Sequence, residues 1–388
     1  MGDWGTQFGM LLEYMIQTYP DYETNLPVLT DLEQFYKAAR ACFDSDPEFK
    51  KRAQVKVVAL QSGDPDARRI WETICTISKE YLNRIYERLD IRIEDFGESF
   101  YNPMIPGVIE ELKTQGLAIE DEGAWIVRVE GEEVPLMVVK SDGGYGYDST
   151  DITAIHHRIC TLNTHRIVYV VDSGQSAHFK LVFEVAKMAG WHQPPATRVE
   201  HANFGVVLGP DGKKFKTKSG EVVKLVSLLD EAKARALTIL HQRIEESNPA
   251  NRTHLTEEEL DAAAEVIGVS AIKYFDLRQN RASTYPFSYD KMLDPKGNTA
   301  VYLIYAYARI CSIIAKASPE VMEGINGYTV TIEEPQERNL CLTLCRLPDL
   351  LDTAMNELAL NKLTDLLYEI ACRFSEFYNA CKVLDTPQ

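Results

Sequence analysis

RIVYVVDSGQSAHFKLVFEVAKMAGW, residues 166 to 191, decides how the chain is read. After Arg166 the run to Val171 is apolar throughout, β-branched except for Tyr169, the pattern of a strand buried on both faces. Asp172 to Ser176 read as a loop and Ala177 to Trp191 as a helix, with another helix expected over 150 to 163. Helix, strand, loop, helix is the α/β pattern of a parallel sheet. Ligands of such sheets bind beyond the carboxyl ends of the strands, so DSGQSAHF at 172 to 179 is expected at a binding rim. A further strand is expected through Val206 to Leu208, leading into a lysine-rich loop.

Outward from this unit the texture changes twice. The first ninety residues read as helices: Pro47 opens one, and Gly63 to Pro65 separate it from another through Trp71, Ile74, Ile77, Tyr81, Leu82 and Ile85. Residues 30 to 90 are expected to be a helical insertion. From Ile91 short apolar runs alternate with Gly and Asp, as in VPLMVVKSDGGYGY at 134 to 147. Beyond residue 250 the chain reads as helical to its end, with Thr256 and Glu259 as a capping box and Leu260, Ala264, Ile267, Ala271 and Tyr274 on one apolar face. Helices are expected at 298 to 317, 337 to 355 and 357 to 382.

Composition excludes several classes. The 388 residues are 45% hydrophobic and 26% charged, enough for two domains with cores and unlike a disordered chain. Eight cysteines without a CxxC predict reduced thiols in a cytosol-like compartment. Cys341 and Cys345 lie one helical turn apart and read as small apolar residues, not half a zinc site. The most apolar stretch, Ala300 to Ala315, is too short to cross a membrane and contains Arg309. A net charge of −17 argues against indiscriminate nucleic-acid binding and predicts no DNA partner, while leaving room for a local basic groove.

Two strings carry the chemistry. GDWGTQFG at 2 to 9 packs three glycines with Trp4, Asp3 and Gln7, a composition suited to backbone that approaches a ligand closely. KKFKTKSGE at 213 to 221 sets four lysines beside Thr217 and Ser219. Together, and over essentially the whole chain, they resemble arginyl-tRNA synthetases, class I enzymes that join arginine to its tRNA with ATP. GNTAVYLIYAYARICSI at 297 to 313 is similar to the opening helix of that family's anticodon-binding domain.

The resemblance implies a partial Rossmann-type nucleotide-binding domain with a parallel sheet over 1 to 250, a helical connector over 251 to 296 and an all-α anticodon-binding domain over 297 to 388. It implies L-arginine, ATP brought with Mg²⁺ and the tRNA for arginine as substrates, no resident metal, and a cytoplasmic location with an organellar one open. A guanidinium is planar and permanently charged, and carboxylates accept paired hydrogen bonds from it. By resemblance Glu98, Tyr147 and Asp151 contact that group and Gln175 the α-amino end; on its own, Asp151 also reads as an acid favoured near a helix start. FKTKS resembles the family's KMSKS signature, with Lys216 and Lys218 as catalytic cations, Thr217 and Ser219 beside the nucleotide, and Phe215 where a lysine would stand. Val206 and Val207 would offer main-chain groups to adenine, and His201 is either an ATP contact or a satisfied polar residue. Asp3, Trp4 and Gln7 are candidates for contact with substrate or the tRNA end; the alternative is a tight turn with Asp3 capping the following helix and Trp4 packing beneath.

The sequence departs from the pattern in one respect. GDWGTQFG begins at residue 2, and no H-x-G-H string occurs among the eight histidines, which include His156 and His157. The resulting expectation is a chain incomplete at both ends. Its alternative to the ligase is a non-catalytic arginine- or tRNA-binding module.

Overall fold

The computed structural model describes residues 2–5, 7–22, 32–209, 212–213, 223–246, 255–317 and 331–383. They form two compact units, Met1–Val168 with Gln175–Glu200 and Tyr169–Gly174 with His201–Gln388.

The first unit begins with helices α1 (Gln7–Thr18), α2 (Leu32–Ser45), α3 (Pro47–Ser62) and α4 (Pro65–Arg88). Local chemistry sets their starts: Asp46 accepts from the Glu48 N–H and Asp64 from the Ala67 N–H, both at 2.8 Å, each with proline at the next position. Leu11, Leu12 and Met15 of α1 bury against Phe49, Leu60, Ile70 and Ile74 of α3 and α4. Each such side chain contributes about 1.5–3 kcal/mol. Glu13 is buried on α1 because Arg52 pairs with it at 2.6 Å and Gln17 donates at 3.0 Å. Gly9 lets α1 approach α3: a Cβ there would lie 2.2 Å from the Ala53 carbonyl oxygen.

Next come α5 (Glu98–Tyr101), α6 (Ile105–Thr114) and strands β1 (Ala118–Asp121), β2 (Ala124–Val127) and β3 (Leu136–Val139). The strands form an antiparallel sheet in the order β1-β2-β3, which the expectation of a parallel sheet did not include. Two-residue spacing between β1 and β2 permits only a hairpin. Helix α7 (Tyr147–His156) follows, ending in a wide turn over His157–Thr161. It starts three residues earlier than the helix expected from 150, because Gly146 in extended conformation donates its N–H to Ser149 Oγ at 3.1 Å.

The decisive stretch folds as strand β4 (Arg166–Tyr169), a 3₁₀ turn at Ser173–Gln175 and helix α8 (Ser176–Met188). β4 pairs with β5 (Arg198–His201) in parallel: Arg198 donates to the His165 carbonyl and Ala202 to that of Tyr169, both at 2.8 Å. The chain passes between its units within these strands.

In the second unit β6 (Val207–Leu208) is followed by α9 (Leu225–Glu246) and α10 (Glu257–Leu277), then by β7 (Tyr285–Pro286), α11 (Tyr289–Met292) and α12 (Ala300–Lys316). β6 and β7 are parallel. The Thr256–Glu259 capping box opens α10, and Ala232, Ala236, Ala264 and Ala271 let α9 and α10 pack closely. The helices α13 (Pro335–Cys345), α14 (Leu347–Glu357) and α15 (Leu360–Ala380) complete it. The single helix expected over 337 to 355 is two, with Pro348 in the first turn of the second. A proline tolerated at a helix start removes an interior hydrogen bond, so the break falls there. Cys341 and Cys345 remain free thiols on α13. Among the described residues no helix is long and apolar enough to cross a membrane.

Candidate functional site

The first unit brings Asp3, Glu98, Asp148, Asp151 and His178 together around the amino ends of α5 and α7. Asp3 is buried, with 7% exposure, and its carboxylate accepts from the Ser99 N–H at 2.9 Å and the Ser99 hydroxyl at 2.7 Å. It therefore caps α5, ninety-six residues away, and not the following helix α1 as the sequence suggested. Its carboxylate stands where a Cβ on residue 97 would be, so Gly97 is a steric requirement of the cap. Its carbonyl accepts from the Trp71 indole N–H at 2.6 Å, while Trp4 packs edge-on against Trp71 with ring centroids 5.7 Å apart. Both side chains are thus engaged within the fold, and Gln7 is exposed at the start of α1.

Glu98 is the first residue of α5, placed by this cap. Burial, followed by the negative charges of Asp3 and Asp151, raises its carboxyl above the usual range. A proton or a neighbouring cation would offset that charge.

α7 supplies the opposing groups. Tyr147 is its first residue, 67% exposed, with its ring edge-on to His178 at 4.9 Å. Ser149 is fully buried and donates to the Val138 carbonyl at 2.8 Å, which ties the helix to β3. Asp148 accepts from the Met137 N–H at 3.1 Å. His178 of α8 places Nδ1 3.2 Å from Asp148 Oδ1 and Nε2 2.7 Å from Asp151 Oδ2. Burial disfavours a charged ring, yet the hydrogen bonds and charges of both aspartates outweigh it and raise the His178 pKa to about 9. Sequence reasoning missed His178 and Asp148. Their available signals were a histidine within the rim string and a second aspartate one turn before Asp151.

Gln175 is exposed at the end of the 3₁₀ turn before α8. The nucleotide candidates His201, Val206 and Val207 belong to the second unit. His201 Nε2 lies 3.1 Å from the Val171 carbonyl, as a satisfied polar residue would. Val206 and Leu208 present their carbonyls to Tyr285 and Phe287, at 3.2 and 2.8 Å, so strand alternation turns the main-chain groups of Val207 to the opposite edge. Lys216, Thr217, Lys218 and Ser219 lie outside the described residues.

The second unit also carries a groove of about 280 Å³ lined by Tyr305, Arg309, Ser312, Ile313, Lys316 and Tyr378. The Arg309 guanidinium lies 4.7 Å from the centroids of both the Tyr305 and Tyr378 rings. Cation and rings there offer flat faces to a stacking partner.

Comparison with known proteins matches residues 1–289 to the family described as tRNA synthetases class I (R), catalytic domain, and residues 303–388 to the DALR anticodon binding domain. The chain is 45% identical to the chloroplastic/mitochondrial arginine-tRNA ligase of Arabidopsis thaliana, over 100% of this chain and 60% of that protein. It is 45% identical to the cytoplasmic arginine-tRNA ligase of Rattus norvegicus, over 98% of this chain and 57% of that one. A solved arginyl-tRNA synthetase from Plasmodium falciparum aligns with TM-score 0.83 and 36% identity, covering 99% of this chain and 63% of its own. The chain thus spans about three fifths of the length of the relatives it matches. On these matches, and with the α/β and all-helical parts each in place, the chain belongs to the class I arginyl-tRNA synthetase family.

Proposed function

We propose that this chain takes part in the ATP-dependent attachment of arginine to its tRNA, and that Glu98 and Asp151 hold the arginine guanidinium. The carrying observation is a pair of carboxylates, Glu98 at the start of α5 and Asp151 one turn into α7, each fixed by dedicated partners: Asp3 and Gly97 for Glu98, His178 for Asp151. Two carboxylates accept the paired donors of a guanidinium, and Tyr147 adds a phenol beside them. Gln175, at the entrance to α8, takes the α-amino end.

In the reaction, an arginine carboxylate oxygen bonds to the α-phosphorus of ATP as the bond to pyrophosphate breaks. The tRNA terminal hydroxyl then attacks the acyl carbon and AMP leaves. The protein's part is to orient the reactants and neutralise phosphate charge. Magnesium would arrive with ATP, Lys216 and Lys218 would answer the phosphates, and Val207 would meet the adenine with Thr217 and Ser219 nearby. The stacked Arg309 groove supports a tRNA base contact in the helical part.

Calorimetric titration of the chain with arginine tests the pocket. Asp151→Asn keeps the shape and removes the charge, and is expected to lose about 2 to 5 kcal/mol of arginine binding. Equal affinity in variant and parent would sink the assignment.

A further inference from the structure

We propose that His178 is a positioning residue of this pocket: as an imidazolium bridging Asp148 and Asp151, it fixes one oxygen of Asp151 and leaves the other aimed at the arginine guanidinium. The inference rests on the arginine-pocket reading and adds to it a residue that reaches substrate only through Asp151.

The geometry carries it. A neutral imidazole has one donor and one acceptor nitrogen, and ionised carboxylates only accept. His178 faces a carboxylate oxygen at each nitrogen, 3.2 Å from Asp148 and 2.7 Å from Asp151, so both nitrogens must bear protons for both contacts to be favourable. Asp148 is itself anchored, through the Met137 N–H, to β3. The chain of contacts therefore runs from a strand through Asp148 and His178 to Asp151, and it sets the direction of the last carboxylate relative to the sheet.

Charge gives the second reason. Asp148 and Asp151 lie three residues apart on α7, close enough to repel each other. Glu98 of α5 adds a third carboxylate whose proton affinity responds to Asp151. The charges that act on the ring are those of Asp148 and Asp151, and Lys180, on the same helix, is engaged with Glu132. Tyr147 covers the ring edge-on and brings no charge at neutral pH. Without the imidazolium the aspartates would turn apart, and arginine would have to order Asp151 on arrival. With it, that ordering is complete before the ligand enters.

Two measurements on the full chain test this. In long-range ¹H–¹⁵N spectra at about pH 8, well above the ordinary histidine range, one histidine should read as doubly protonated and should vanish in His178→Gln. Calorimetry with L-arginine should show His178→Gln and Asp148→Asn each weakening binding about tenfold, the scale of one charge-assisted hydrogen bond, with the double variant no weaker than either single. Asp148→Asn leaves the ring in place and guards against a folding defect of the histidine variant. A neutral His178, or parent-like arginine binding in both single variants, would overturn the proposal while leaving the pocket intact. A parent that binds no arginine, or an Asp151→Asn variant that binds it equally, would overturn the pocket and this inference with it.

Discussion

Asp3 shows how far a residue's role can lie from its neighbours in sequence. A sequence reading pairs a carboxylate with the helix that follows it, and here the helix start that needed an acceptor was at Ser99. Glu98 and Asp151 could be proposed from the sequence because a guanidinium demands carboxylates and the family resemblance supplied their positions. His178 was not, because its partner Asp151 is twenty-seven residues away on another helix and no local pattern reports such a bridge. Its consequence for stability has a definite sign. In an unfolded chain a histidine gives up its proton near pH ~6.5, whereas folded His178 holds it to about 9. The bridge's contribution is therefore complete below pH ~6.5 and is lost as pH rises through about 9. Thermal melts of parent and His178→Gln should differ most in mild acid, at about pH 5 to 6.5 where ordinary carboxylates are still ionised, and converge in alkali. A gap that stays constant across the range would show that the bridge is not charged.

At the scale of elements, caps and prolines told more than periodicity. Pro47, the break at Gly63 to Pro65 and the Thr256–Glu259 box were readable and mark helix starts as expected, while the caps Asp46 and Asp64 emerged only in the structure. The split at Pro348 and the early start at Tyr147 were harder to read, since each depends on a choice between two tolerable helix boundaries. The glycines of GDWGTQFG suggested approach to a ligand, and Gly9 instead serves the contact of α1 with α3. Gly9→Ala should therefore destabilise the first unit by about 1–3 kcal/mol, as overpacking does elsewhere. Urea unfolding checks this. An unchanged midpoint and slope would mean that the helices can separate without penalty. Asp3→Ala should cost about 1 kcal/mol or more through the lost cap and weaken arginine binding through Glu98. Stability loss with parent-like arginine affinity would uncouple that cap from the pocket.

For the whole molecule, the apolar run at 166 to 171 was enough to indicate α/β architecture, and the parallel pairs β4 with β5 and β6 with β7 agree with it. The run is not the fully buried strand expected: it is a strand only over Arg166–Tyr169, with burial that alternates along it, and Val170 is 66% exposed. The antiparallel sheet over 118 to 139 was missed because short, half-apolar strands carry little periodic signal. A net charge of −17 would confine nucleic-acid binding to local features, and the Arg309 groove is the candidate proposed for it. Replacing Tyr305, 53% exposed, by Ala should weaken tRNA binding by about 1–3 kcal/mol, the worth of one stacked base, without altering arginine affinity. Filter binding with unchanged tRNA affinity would remove the groove from the interface. The central claim, that this chain recognises a guanidinium through paired carboxylates, is tested most directly by titrating it with L-arginine and with citrulline, which keeps the shape and lacks the charge. Arginine should bind at least about a hundredfold more tightly, since a neutral urea leaves Glu98 and Asp151 without their cation. Equal binding of the two, or none of either, would contradict it.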